Sequence, residues 1–193
     1  MSKDDARRTG ETIRQLFFDA RSKLPERVVL HKRTNFTKDE RDGLADGLSG
    51  VKSIDMLEIQ VDSALRYVAS IPQADGTFAH DGYPVRRGTA MKLDDFSALV
   101  WVHGATTAVH PQRWKYFQGK RRIPAPLTIR RYAGQTDLQQ LAEEILGLSK
   151  MNWNTFDLYT KMPATLHSST EIARIGALLQ RFGAASYDYR LFM

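Results

Sequence analysis

The sequence contains no cysteine, which removes disulfides and thiolate metal sites and fits a cytoplasmic protein. It has no apolar run near the roughly 18 residues that a membrane-spanning helix requires. Met1 to Arg8 is charged and lacks an apolar core, so it does not read as a secretory signal. Internal repeats, low-complexity tracts and Pro/Gly/Ser linkers are missing too, and the 193 residues read as one domain with a sizeable core. There is no GxSxG, P-loop or GxGxxG pattern, and His103 and His110 have no carboxylate at metal-ligand spacing.

What is present is positive charge. The net charge is +6 and the isoelectric point about 9.6, a balance that favours polyanionic partners because neutralised phosphates release counterions.

Helical and extended patterns alternate along the chain. Ile13, Leu16, Phe17 and Ala20 recur at helical spacing in a helix over about 4–22, ended by Pro25. Arg27-Val28-Val29-Leu30-His31 reads as a strand, and Thr37-Lys38-Asp39-Glu40 as a capping box opening a helix to about Leu48. Ile54 to Val61 and Ala64 to Ala69 are expected strands, as are Ala98 to Val102 and Leu127 to Tyr132. Thr136-Asp137-Leu138-Gln139 reads as a second box, whose helix buries Leu138, Leu141, Ala142, Ile145 and Leu148. Ser168-Ser169-Thr170-Glu171 reads as a third, opening a last helix. This alternation predicts an α/β domain.

The order of features resembles the PIWI domain of prokaryotic Argonautes. The buried strand Ala98–His103 leads to Pro126-Leu127-Thr128-Ile129. A Gly-Gln-Thr-Asp-Leu start to a helix follows, then Leu148-Ser149-Lys150-Met151-Asn152-Trp153-Asn154, then Pro163-Ala164-Thr165-Leu166 and an apolar C-terminus. Upstream, Glu26 to His31 matches another strand of that domain. The resemblance implies a ribonuclease H-like PIWI segment, a mixed sheet with flanking helices, with residues 1–193 forming its C-terminal part. The MID domain and the first part of PIWI have no counterpart in residues 1–193, which are then a fragment, one half of a split Argonaute or a truncated product; a protein partner supplying the missing parts is expected.

PIWI nucleases hold two divalent metals on acidic side chains to clamp the attacking and leaving oxygens. By the resemblance, one such carboxylate follows the Val-Val-Leu-His strand, where this chain has Lys32 beside Arg33. The last ligand falls at the final helix, where Ser169 or Thr170 stands. A cation repels metal and a hydroxyl replaces a carboxylate poorly. The resemblance therefore implies guide-directed binding of nucleic acid without cleavage, in prokaryotic defence with a separate effector protein.

Several residues could carry that binding. The resemblance makes Lys150 and Asn152 guide contacts; ordinary helix termination is the alternative, and Trp153 reads as core. Ser168, Ser169 and Thr170 read as helix caps whose N-terminus would also hold phosphate, with Lys161 lending charge. Arg130 and Arg131 sit next to each other on a strand, so at most one faces a given channel. Residues 113–122 interleave aromatics and cations, either to track a backbone or as a solvated loop. The resemblance gives the Met193 carboxylate a part in holding Mg²⁺ or Mn²⁺ against a guide 5′-phosphate; a buried apolar tail is the alternative. Two competing readings remain. One is a subunit of an active guided endonuclease using a carboxylate such as Asp39 or Asp157. The other is a structural fragment with no binding of its own. Whether guide and target are RNA or DNA is left open.

Overall fold

The structure, a computed structural model, describes residues 1–81, 84–106, 116–117, 124–151 and 161–178. In chain order the elements are α1 (Lys3–Arg21), β1 (Arg27–Lys32), α2 (Lys38–Gly47), β2 (Ser53–Val61), β3 (Ser70–Pro72), β4 (Phe78–His80), β5 (Ala90–Lys92), β6 (Ser97–Val100), β7 (Ala105–Thr106), β8 (Tyr116–Phe117), β9 (Leu127–Ala133), α3 (Leu138–Leu148) and α4 (Ala164–Leu178). Five strands form one sheet in the order β1-β2-β9-β6-β5. β1 and β2 run parallel across α2, and the other neighbours are antiparallel. This is the α/β domain that the alternation predicts, with the mixed sheet and flanking helices that the resemblance implies. No helix among the described residues is long and apolar enough to cross a membrane.

The period-two alternation of strands sorts side chains onto two faces. Leu57, Ile59, Leu127 and Ile129 pack with Leu138, Leu141, Ala142 and Ile145 of α3 and Leu166 of α4. Each such buried aliphatic side chain contributes roughly 1.5–3 kcal/mol. On the opposite face Met56 packs with Ala6, Phe36 and Leu44, beneath α1 and α2. The two helices touch through small residues: a Cβ on Gly43 would collide with the Lys3 carbonyl, and one on Gly47 with that of Arg7.

The local signals at α2 behave as the sequence reads them. The Thr37 hydroxyl accepts from the Glu40 N–H while the Glu40 carboxylate accepts from the Thr37 N–H, a complete capping box.

Elsewhere the structure corrects the sequence reading. Residues 64–69 are not a strand, because the Asp62 carboxylate accepts the N–H groups of Ala64 and Leu65 and turns the chain. The cap of α3 is Asp137, which accepts from the Gln139 N–H, and not Thr136. α1 ends at Ser22, whose left-handed backbone (φ 54°) lets its N–H reach the Phe18 carbonyl, three residues before Pro25. The stripe on α1 is not core either: Leu16, Phe17 and Phe18 are exposed, and Ala6 and Gly10 are the buried positions.

Thr136 has another task. Asp55, wholly buried on β2, accepts from the Thr136 hydroxyl at 2.6 Å and from Arg27 Nε at 2.9 Å. Arg27 extends the network to Glu144 of α3 through bonds of 2.6 and 3.0 Å. Gly134, at φ 101°, lies so close that a Cβ there would collide with Asp55 Oδ1. The Gly-Gln-Thr-Asp-Leu segment thus docks the start of α3 on a buried carboxylate.

Candidate nucleic-acid interface

The C-terminal end of β1 sends alternate side chains to opposite faces of the sheet. His31 points toward α4, where Nδ1 and the Thr165 hydroxyl share a hydrogen bond of 2.8 Å. Burial pushes the imidazole down to about 4, against a smaller upward pull from Glu144. His31 is therefore neutral at physiological pH. An NMR titration of its ring is expected to show a midpoint near 4; a midpoint near the ordinary value of about 6.5 would contradict the buried placement.

Lys32 turns the other way. Its ammonium lies 2.6 Å from Glu40 Oε1, donates to the Asn35 carbonyl at 3.2 Å and sits 5.4 Å from the centre of the Phe36 ring. Burial would raise the Glu40 carboxyl, but Lys32, the Thr37 N–H and the N-terminal amine overcome it and hold the group down at about 2. The position that the resemblance gives to a metal-binding carboxylate thus carries an ammonium committed to a buried glutamate. These residues do not fit a divalent metal there. Among the described residues no three His, Asp or Glu side chains converge on a point that a metal could occupy. Asp39, a carboxylate on which an active endonuclease would draw, is exposed in the first turn of α2, where it favours the helix dipole.

The helix expected to begin at Ser168 begins four residues earlier, at Ala164, with the N–H groups of Leu166 and His167 both donating to the Pro163 carbonyl. Ser168 is buried. The Ser169 hydroxyl donates to the Thr165 carbonyl at 2.7 Å and that of Thr170 to the Leu166 carbonyl at 2.8 Å. None of the three is an N-cap. Each hydroxyl has one donor, so Ser169 and Thr170 would have to leave these carbonyls to donate to a phosphate. Lys150 is exposed just past Ser149, the C-cap of α3, and Lys161 is exposed just before Met162 and Pro163. Asn152, Trp153, Asp157 and Met193 lie outside the described residues, as does most of the segment 113–122.

Arg130 is exposed on β9, on the face opposite α3. Its guanidinium carbon is 5.5 Å from the centre of the Tyr132 ring, and that of Arg41, from α2, is 6.0 Å from the same ring. Arg131 points the other way and donates to the carbonyls of Thr136 and Asp95. The sequence reading missed Arg41 and Tyr132, which only the packing of α2 over β9 brings together.

No family model matches the chain, and no curated protein matches it significantly. Solved structures do match. Clostridium butyricum Argonaute bound to a guide DNA (5′ deoxycytidine) and a 19-mer target DNA superposes with a TM-score of 0.67, at 14% identity, over 96% of this chain and 22% of its own. Aa-Ago with externally bound siRNA gives 0.63, at 21% identity, over 91% of this chain and 21% of its own. Marinitoga piezophila Argonaute in complex with 5′ OH guide RNA gives 0.60, at 11% identity, over 99% and 24%. The chain spans less than a quarter of the length of each of these proteins. Its mixed sheet with flanking helices is the fold of that portion of an Argonaute chain.

Proposed function

We propose that residues 1–193 are the C-terminal part of a PIWI domain in an Argonaute that binds guide and target nucleic acid and does not cut them. What carries this reading is Lys32: at the position that the resemblance gives to a metal-binding carboxylate, its ammonium is held 2.6 Å from buried Glu40. Base pairing with the guide would supply sequence specificity, while this chain holds backbone phosphates. Lys150, Lys161 and Arg130 are exposed cations suited to that task.

In this reading the MID domain and the rest of PIWI lie outside residues 1–193, on a partner protein or on further sequence of the same chain. Among the described residues β1 lies at an edge of the sheet and pairs with β2 alone, its residues half-buried, an edge suited to pairing with a further strand. Exposed Leu16, Phe17 and Phe18 on α1 add apolar surface for such a partner to cover. The Met193 carboxylate would help hold Mg²⁺ or Mn²⁺ at the guide 5′-phosphate. The complex would act in the cytoplasm, and a separate effector would turn target binding into defence.

The test compares a 5′-phosphorylated oligonucleotide with its 5′-hydroxyl twin, in Mn²⁺ or EDTA, across a salt series. The chain is assayed alone and together with its MID-bearing partner. Tighter binding of the phosphorylated strand, dependent on metal, is the expected result. Equal and weak binding that fades with salt would reduce the chain to a basic fragment and remove the role given to Met193.

A further inference from the structure

Between the tip of the β5–β6 hairpin and the outer face of β9 lies a cleft of about 540 Å³, lined by Arg41, Leu93, Phe96, Arg130 and Tyr132 among others. Its floor is the Tyr132 ring with the guanidiniums of Arg41 and Arg130 against it. Among the described residues neither guanidinium forms a salt bridge. The acids nearby are engaged locally. Glu58 accepts from the Tyr132 hydroxyl at 2.8 Å and from the Gln60 amide. Asp94, which itself lines the cleft, accepts from the Phe96 N–H at 2.7 Å, is hydrogen-bonded to Ser97 and also feels the charge of Arg130.

The rim is an aromatic side chain that folding leaves in water. Phe96 is 62% exposed at the hairpin tip, with the Arg131 guanidinium 6.0 Å from its ring centre. A Phe turned outward beside cations is a stacking platform. A base offers its flat face only where it is unstacked, which selects a single strand over a duplex. Cations that make no salt bridge among the described residues, set beside such a platform, suit phosphodiester oxygens.

We propose that this cleft binds a single-stranded stretch of nucleic acid, with an unpaired base stacked on Phe96 and adjoining phosphates held by Arg41 and Arg130. The proposal rests on the reading that the chain binds nucleic acid; it gives Arg130, one of the cations of that reading, a site of its own with Arg41 and Phe96, apart from Lys150, Lys161 and the start of α4.

The test measures fluorescence anisotropy of labelled, unstructured oligonucleotides, DNA and RNA, on the full chain across a salt series. A duplex and a strand carrying abasic residues serve as comparisons. Phe96→Ala is expected to weaken single-strand binding about 5- to 50-fold, to leave duplex binding unchanged and to have no effect on the abasic strand. Phe96→Trp should restore affinity. Arg41→Gln with Arg130→Gln should lower affinity for every strand and flatten the dependence of log K on log salt by about 0.7 for each phosphate no longer neutralised. All three residues are at the surface or half-buried, and unchanged melting curves would establish that the variants fold. Wild-type affinity in both Phe96→Ala and the double arginine variant would overturn the cleft while leaving the functional reading intact. So would a Phe96→Ala loss of equal size on the abasic strand. Displacement of the strand by polyglutamate, with peptide binding sensitive to Phe96→Ala, would assign the cleft to an acidic protein segment instead. A wild-type chain that binds no strand would remove the cleft and the functional reading together.

Discussion

Asp55→Ala is expected to lower the melting temperature by about 6–12 °C, the equivalent of about 3 kcal/mol in a chain of this size. The carboxylate is wholly buried and joins three parts of the fold: Arg27 on β1, Thr136 before α3, and its own strand β2. Its removal leaves the Thr136 hydroxyl and the Arg27 Nε, both half-buried, without this acceptor. Breaking a buried charge pair from one side costs roughly 3–5 kcal/mol. The lower end applies here because Arg27 keeps Glu144 and its side chain remains 26% exposed. Asp55→Asn, which keeps the shape and one carbonyl acceptor, should cost about half as much. Glu144→Gln should cost less still, since that carboxylate is partly in water. Calorimetry on the three variants decides the matter. An Asp55→Ala protein within about 1 kcal/mol of wild type would mean that the network holds nothing together.

The second large effect concerns acid. The Glu40 carboxyl is held down at about 2 from an ordinary 4.5, a depression equivalent to about 3 kcal/mol. A carboxylate with a depressed folded-state pKa stabilises the fold above its unfolded value. That contribution fades as pH falls from about 4.5 toward 2, when the group takes up a proton. Lys32 is the close side-chain cation responsible, at 2.6 Å. Lys32→Met should therefore destabilise the protein by about 2 kcal/mol at pH 7, with the difference shrinking toward zero near pH 2–3. Urea denaturation of both proteins at several pH values measures it. A difference independent of pH would show that Lys32 acts by packing on Phe36 and not through the charge of Glu40.

Where a signal was local, the sequence carried it. Thr37 and Glu40 lie three residues apart and satisfy each other, so the box at α2 was readable. The β-branched and apolar runs of β1, β2 and β9 were readable for the same reason. The start of α4 was misread because Ser168 and Glu171 imitate a capping box, while Pro163 just ahead of Ala164 was the better marker. Residues 64–69 looked extended until Asp62 captured two of their N–H groups, a competition that composition does not reveal. The apolar stripe of α1 was real, yet Gly10, Gly43 and Gly47 settled which face meets α2. An aspartate in the apolar run of β2 was a usable hint of the Arg27–Asp55–Glu144 network, but its partners are distant in sequence. The same distance hid the meeting of Arg41 with Tyr132. At Lys32 the resemblance marked the position, and the structure pairs its ammonium with Glu40, a partner eight residues on.

Guided capture without cleavage is the central claim, and it is tested most directly by target retention. The chain, assembled with the partner that carries the rest of the domain and loaded with a guide, is mixed with complementary or scrambled target in Mg²⁺ and Mn²⁺. Bound target is then recovered and run on a denaturing gel. The expected result is retention of the complementary strand at full length and release of the scrambled one. A guide-dependent cut at a fixed position, persisting in repurified protein, would contradict the claim, as would equal retention of both targets.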